Sequence, residues 1–282
     1  MKTTATNVQP ADGVGAYVSN VNLANPNRDD INTLRDALGQ YGVLFFREQS
    51  LTPDQHIHLA QKFGNININR FFPCVDSYPQ IAEVRKEPTQ RANIGSDWHT
   101  DHSYDEIPAM GSILVSRITP SRGGDTIFSN MFMAFEHLSN GLKQTLLSLN
   151  AVHSSRHVFG KEATDQTDAL FKNADAATQD CIHPMVISHP ISGKQALYIN
   201  PNFTIGIEGW NEKESKPFLE MLYQHAVQPE FTHRFKWYQG SIAFWDNRAT
   251  WHCALNDYPT ETRLMHRITI EGTRLQGATT RE

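Results

Sequence analysis

A double-stranded β-helix, the jelly roll shared with the cupins, is the fold class this 282-residue sequence predicts, mainly β with helical insertions. Short apolar or alternating runs bounded by Gly, Pro and Asn recur through the middle and the end of the chain, whereas only a few stretches carry helical spacing. No internal repeat, low-complexity tract or linker divides the sequence, so a single domain over 1–282 is expected, a length that all-β barrels commonly reach as one unit.

Taken in order, 29–41 reads as a helix, with Ile31, Leu34 and Leu38 at helical spacing and Gly42 as its stop. The run Val43-Leu44-Phe45-Phe46 reads as a buried strand. Thr52-Pro53-Asp54-Gln55 supplies an N-cap, a proline at the first helical position and a glutamine at the third, so a helix is expected over 53–63. Residues 65–80, rich in Asn, Pro and aromatics, read as a loop. Strands follow near 81–84, 111–118 and 126–129, the last two joined by the Thr119-Pro120-Ser121-Arg122-Gly123-Gly124 turn. The spacing over 132–149 gives two helices broken near Ser139-Asn140-Gly141. A polar, weakly patterned stretch follows, and a mobile lid is expected around 154–180. A hairpin around Ser192-Gly193-Lys194 and a helix over 212–226 precede a closing series of strands, the last beginning at Arg263.

Composition narrows the function classes. With 25 basic against 30 acidic residues the formal net charge is −5 and no basic tract occurs, which disfavours nucleic acid as a partner. No apolar run approaches a membrane span and the first residues lack a signal-peptide core, so no membrane association and a cytoplasmic location are expected. Cys74, Cys181 and Cys253 are odd in number and lack Cys-x-x-Cys spacing, against a disulfide framework or a zinc-thiolate site. Cys253 reads as a small buried hydrophobe.

The most informative motif is Trp98-His99-Thr100-Asp101. In an extended strand residues 99 and 101 share a face, and with a remote His252 they make the ligand set of a 2-His-1-carboxylate facial triad, which leaves open positions on Fe(II) for a cosubstrate and O2. A Gly123-Gly124-Asp125-Thr126 turn follows, Ile242-Ala243-Phe244-Trp245-Asp246-Asn247-Arg248 leads into Trp251-His252, and Arg263 lies on the next strand. A chelated 2-oxoacid needs a cationic fork for its far carboxylate; Arg263 offers one and Thr126 a hydroxyl.

From Gly15 to about Thr273 this ordered set resembles the taurine dioxygenase family of Fe(II)/2-oxoglutarate enzymes. The resemblance implies the jelly-roll fold, iron on His99, Asp101 and His252, and 2-oxoglutarate on Thr126 and Arg263, with Arg267 helping to hold its proximal carboxylate or an acidic substrate. It also implies hydroxylation of a small organic acid with release of succinate and CO2. The carboxylate of Asp101 matters here, because related halogenases carry Ala or Gly at that position. Two departures stand against taurine itself: Leu59-Ala60-Gln61-Lys62-Phe63-Gly64 leads to Asn69 and Arg70 rather than a sulfonate-binding histidine, and Gly95 replaces a substrate-contacting asparagine. Val152-His153-Ser154-Ser155-Arg156-His157-Val158-Phe159-Gly160 is similar to the branch that oxidises (R)-2-aryloxypropionates. Asn69, Arg70, Phe71, His102, Phe159 and Arg267 are accordingly the candidate substrate contacts, and an aryloxyalkanoate-like carboxylate the expected substrate, with an alkylsulfonate as the alternative. A homo-oligomer is expected.

Plainer readings stand beside these. His56 and His58 read as solvated helix surface, His102 as facing away from Asp101 on a regular strand, and His153 and His157 as packing groups. Trp98, Trp245 and Trp251 read as core that dries the site. A non-catalytic cupin-like metal binder and a zinc hydrolase both remain open, although neither has use for an arginine and a threonine placed for a dicarboxylate.

Overall fold

The computed structural model describes residues 5–160, 171, 173–178 and 180–279. Its architecture is a double-stranded β-helix. The larger sheet runs in the order Asn7–Pro10, Ala16–Ser19, Val43–Phe46, Ile242–Asp246, Gly111–Ile118, Arg263–Ile270, Tyr78–Lys86 and Cys74–Val75, with Ile66–Asn67 paired beside Arg263–Ile270. A smaller antiparallel sheet is made of Thr232–Phe235, Thr126–Asn130 and Thr250–Ala254.

The larger sheet is buried on both faces, which explains why its central strands read as unbroken apolar runs. Along Val43–Phe46 and Ile242–Asp246, Leu44, Phe46, Ile242 and Phe244 pack outward with Leu34, Leu38 and Leu59 of two covering helices and with Phe63 just beyond the second. Their neighbours Val43, Phe45, Ala243 and Trp245 pack inward with Phe128 and Phe235 of the smaller sheet. The period of two along a strand thus builds two cores from one run of sequence. On Arg263–Ile270 the same alternation sends Ile268 and Ile270 outward and Met265 inward, so Arg263 and Arg267 share the inner face.

The covering helices carry the expected caps. Asn27 accepts from Asp30 N at the head of Arg28–Tyr41, which ends at Gly42, in the left-handed region at φ 76°. Thr52 accepts from Gln55 N at the head of Pro53–Gln61 while the Gln55 side chain returns the bond. Each such cap contributes about 1 kcal/mol. Beyond the sandwich, Asn150–Ser154 pairs with Asp180–Pro184 and Thr204–Ile207, and Val186–Ser188 pairs with Gln195–Leu197 across the expected hairpin. Helices Met131–Glu136, Asn140–Leu147 and Glu212–Ala226 close that side. Among the described residues no helix is long and apolar enough to cross a membrane.

Two expectations are corrected. The stretch 65–80 contains Ile66–Asn67, Cys74–Val75 and the start of Tyr78–Lys86, strands too short to show a period. His56 is fully buried, whereas His58 is exposed; the His56 Nε2 lies 3.2 Å from Ile113 O and its Nδ1 has no partner. The central part of the expected lid, 161–170, lies outside the described residues.

Burial, reinforced by the Arg117 charge, lowers the His56 pKa to about 3. Its unfolded value near 6.5 lies higher, so the unfolded chain takes up the proton first, and the stabilising contribution, complete above 6.5, is lost as the pH falls toward 3. In urea unfolding series, the stability advantage of wild type over His56→Gln should therefore shrink by about 1.4 kcal/mol per pH unit below pH 6. A difference independent of pH would contradict the assignment.

Candidate active site

His99 and His252 are brought together by the backbone. Reciprocal bonds, His99 N to His252 O at 3.1 Å and His252 N to His99 O at 2.8 Å, make an isolated antiparallel bridge. A hydrogen-bonded pair of this kind projects both side chains from one face. The rings accordingly lie 4.1 Å apart between centroids. His252 belongs to the Thr250–Ala254 strand, but His99 to Asp101 is not the regular strand the spacing predicts: after the bridge the chain turns, and His102 takes a left-handed φ of 60°. Thr100 does point away, donating to Asn247 O at 2.6 Å. This ties the motif to the Asp246-Asn247-Arg248 turn, which is itself held by buried Arg248–Asp246 and His189–Asp246 pairs.

One ligand atom from each of His99, Asp101 and His252 falls within 4.8 Å of the others, the geometry for one metal ion. The His99 Nδ1 lies 2.7 Å from Asp97 O; donating there leaves Nε2 as a lone pair directed at the cluster. Burial pushes the pKa of both histidines down, favouring in each the neutral imidazole a metal requires. Burial alone would raise Asp101, but the Arg267 charge outweighs it and keeps its carboxyl well below the usual range. Arg267 Nη1 bonds both Asp101 oxygens, at 3.0 and 3.2 Å, and Ser112 Oγ adds a third contact at 3.3 Å. A neutral, neutral, anionic set lining one cavity suits Fe(II).

The second anchor lies deeper between the sheets. Arg263 is buried, donates Nε to Gly124 O at 3.1 Å, and leaves Nη2 with no partner among the described residues. Burial pulls its pKa below the usual arginine value, an unfavourable placement that a bound carboxylate would relieve. Beside it, the Trp237 indole N–H donates to Thr126 Oγ1 at 2.9 Å, so the hydroxyl hydrogen of Thr126 is free for another acceptor. The Gly123-Gly124 turn makes this approach possible: at φ 77° and 68°, Cβ atoms there would lie 2.4 Å from Asp257 Oδ1 and 3.3 Å from Arg263 Cδ. A buried guanidinium nitrogen beside a hydroxyl hydrogen could together hold a carboxylate.

One cavity joins these groups, and its outer wall is aromatic: Phe72, Tyr104, Phe159, Phe171 and Phe203 line it together with Asn69, His102, Arg263, Arg267 and the three candidate ligands. Of the expected substrate contacts, Asn69, His102, Phe159 and Arg267 face the cavity. Arg70 and Phe71 do not: Arg70 pairs with Asp105 at 2.7 Å, and Phe71 stacks behind Phe159 at 4.3 Å between centroids. His102, expected to face away from Asp101, is swung into the lining by its left-handed backbone. Phe72 and Phe203 lack any local signal that separates cavity wall from ordinary core. Gly95 also lines the cavity, where a Cβ would sit 3.1 Å from His99 Cε1. Trp245 lies 4.7 Å from the His252 ring and, like Trp251, is buried; Cys253, its thiol raised to about 11 by burial, donates to Ser96 O. His153 is buried, and His157 is exposed with Nε2 on Asn202 O.

A jelly roll holding a His-x-Asp…His set and a buried arginine defines the class of Fe(II)/2-oxoglutarate oxygenases. The family model for taurine catabolism dioxygenases, the TauD, TfdA family, matches residues 5–269, and the chain belongs to that family. The alpha-ketoglutarate-dependent sulfate ester dioxygenase of Pseudomonas putida is 33% identical over 273 residues, 94% of this chain and 89% of that protein. The (S)-phenoxypropionate/alpha-ketoglutarate-dioxygenase of Sphingobium herbicidovorans is 29% identical over 285 residues, 95% of this chain and 96% of that one. A taurine dioxygenase structure from Burkholderia xenovorans superposes with a TM-score of 0.83 at 33% identity, covering 99% of this chain and 95% of that one. These identities do not favour the aryloxypropionate branch over the others. The protein is an Fe(II)- and 2-oxoglutarate-dependent dioxygenase that uses O2.

Replacing His99, Asp101 or His252 by Ala is expected to abolish Fe(II) retention and turnover while circular dichroism remains that of a folded protein. Stoichiometric iron with normal turnover in any one variant would remove that residue from the ligand set.

Proposed function

We propose that this dioxygenase hydroxylates a small organic acid with an aromatic or otherwise bulky apolar body, the anion seated near Arg267. The observation that carries the reading is the cavity wall: Phe72, Tyr104, Phe159, Phe171 and Phe203 line the same cavity as the candidate ligands, and Arg267 lies beside Asp101 and over the Phe72 ring, its Nε without a partner among the described residues. At about 25 cal/mol per Å2 of apolar surface, an aromatic ring gains a few kcal/mol from such a wall that a two-carbon chain cannot.

Each group then has a task. His99, Asp101 and His252 hold iron, and Arg263 and Thr126 hold and orient 2-oxoglutarate through its distal carboxylate. When bound, iron, 2-oxoglutarate and O2 together supply the oxidation that places a hydroxyl on a substrate carbon and releases succinate and CO2. Arg267 keeps Asp101 anionic and attracts the substrate's acid group. Trp245 and Phe128, packed at 4.7 and 6.1 Å from the His252 ring, exclude water from its rear. Where the hydroxylated carbon also bears an ether or ester oxygen, the product falls apart to a carbonyl compound and a leaving group.

A second reading, an alkyl sulfate ester as substrate, is favoured by the 33% identity to the Pseudomonas putida enzyme. It keeps the same wall and the same arginine and changes only the anion.

Arg263→Ala should raise the 2-oxoglutarate requirement by orders of magnitude with little change in iron affinity, since losing one partner of a desolvated charge pair costs on the order of 2–5 kcal/mol. Thr126→Val, one hydrogen bond, should cost about 1 kcal/mol. Titrations in which Thr126→Val did the greater damage would displace Arg263 as the main anchor. For the substrate, succinate formation is compared for taurine, a medium-chain alkyl sulfate, an alkylsulfonate and an (R)-2-aryloxypropionate at equal concentration. A bulky anion should lead; taurine turning over fastest would overturn the proposal.

A further inference from the structure

A groove of about 610 Å3 opens where the turn between the first two strands meets the helix Met131–Glu136 and the Gly193 hairpin, and it shares no lining residue with the active-site cavity. Its apolar lining comes from buried Phe132 and Phe135 and half-buried Met133. The two phenylalanines are three apart on the helix and therefore neighbours on one of its faces. Each carries an ammonium: Lys194 Nζ lies 5.2 Å from the Phe132 ring centroid and Lys143 Nζ 6.0 Å from that of Phe135. Both lysines line the groove. Lys194 gives one of its three donors to Gln40 O at 2.9 Å, and Lys143 has no hydrogen-bond or ion-pair partner among the described residues. Against these two ammoniums stands one carboxylate, that of exposed Glu136, so the lining is net positive. Asn130 holds the shape: its Oδ1 accepts from Phe132 N and Met133 N, and its Nδ2 donates to Gly13 O at 3.2 Å.

The groove also has a connection to the metal ligands. Phe132 meets the His189 ring at 5.3 Å between centroids, the two planes perpendicular. His189 Nε2 lies 3.0 Å from Asp246 Oδ2, and the carbonyl of the next residue, Asn247, accepts from Thr100 between two of the candidate ligands. Met131 N, at the head of the same helix, donates to Ala249 O at 2.9 Å. We propose that the groove is a second binding site, for a small amphipathic organic anion whose acid group meets Lys143 and Lys194 and whose apolar body covers Phe132, Met133 and Phe135, and that its occupation tightens metal binding through His189 and the Asp246-Asn247 turn. The volume lies within the roughly 300–1,000 Å3 of small-molecule sites. Such a ligand supplies the counter-charge the lysines lack, whereas a neutral compound uses the rings alone and a cation is repelled. A body packed on Phe132 braces it against His189, removing freedom that metal binding would otherwise have to remove, so the coupling is positive and reciprocal.

The test is a fluorescence titration of the intact chain with the anion 8-anilinonaphthalene-1-sulfonate and with its uncharged parent, N-phenyl-1-naphthylamine. Lys143→Glu should weaken binding of the sulfonate about fivefold, and Lys143→Glu with Lys194→Glu about twentyfold or more, while the uncharged amine binds as to wild type. Circular dichroism and basal turnover should be unchanged in both variants. Under anaerobic conditions with 2-oxoglutarate present, saturating sulfonate should lower the Fe(II) dissociation constant about fivefold, and Fe(II) should tighten the sulfonate by the same factor. Phe132→Leu should still bind the sulfonate but lose that mutual effect. Sulfonate binding indifferent to both charge reversals would overturn the site. So would binding that weakens as the protein concentration is raised, the result expected if a second copy of the chain covered the groove. Unchanged iron affinity in the sulfonate-saturated wild type would overturn the coupling.

Discussion

Two backbone hydrogen bonds between His99 and His252 are the constraint on which the site depends. They fasten a loop of one part of the chain to a strand of the smaller sheet and thereby set two imidazoles side by side before any metal arrives. Everything adjacent serves that juncture. Thr100, between the two ligands of the motif, is bound to the Asp246-Asn247-Arg248 turn, and Cys253 donates to Ser96 just upstream of it. The bridge is short because only one residue pair is needed; beyond it the chain must turn to bring the Asp101 carboxylate back to the same point, and the left-handed His102 is where the turn is made.

Charge balance explains the rest of the interior. A buried carboxylate flanked by neutral histidines would be unfavourable alone, and Arg267 compensates it with two hydrogen bonds from the neighbouring sheet. Arg263, two turns of the strand alternation away on the same inner face, has no such partner and keeps a bare nitrogen toward the cavity. The two arginines thus differ: Arg267 stabilises a protein carboxylate, and Arg263 offers the cavity a donor with no partner among the described residues. The double-sided sheet makes this affordable, because its outer face contributes one hydrophobic core and its inner face a second, around Phe45, Phe128 and Trp245, beside which the polar groups sit.

Much of this was legible in the sequence. The Thr52-Pro53-Asp54-Gln55 cap, the stop at Gly42, the hairpin at Gly193 and the two-sided strands are local signals and stand where they were expected. His99, Asp101, His252, Thr126 and the two arginines, singled out by their chemistry and spacing, are brought to one cavity. What escaped depends on contacts between distant segments. His56 is buried by packing between distant segments, with its Nε2 3.2 Å from Ile113 O on the Gly111–Ile118 strand. Arg70 and Phe71 sit in the right loop but turn behind its wall, since Asn69 Oδ1 holds the backbone of the next residues and Asp105 takes the guanidinium. His102 joins the cavity through a backbone conformation that no side-chain pattern announces.

The most direct measurement is anaerobic optical titration of the metal-free protein with Fe(II) and 2-oxoglutarate in either order. A facial triad with a preformed dicarboxylate anchor predicts a visible charge-transfer band that develops only when both are present, saturates at one equivalent of each, and disappears when succinate replaces 2-oxoglutarate. No band with both components bound, or an equal response to zinc, would contradict the assignment of the site.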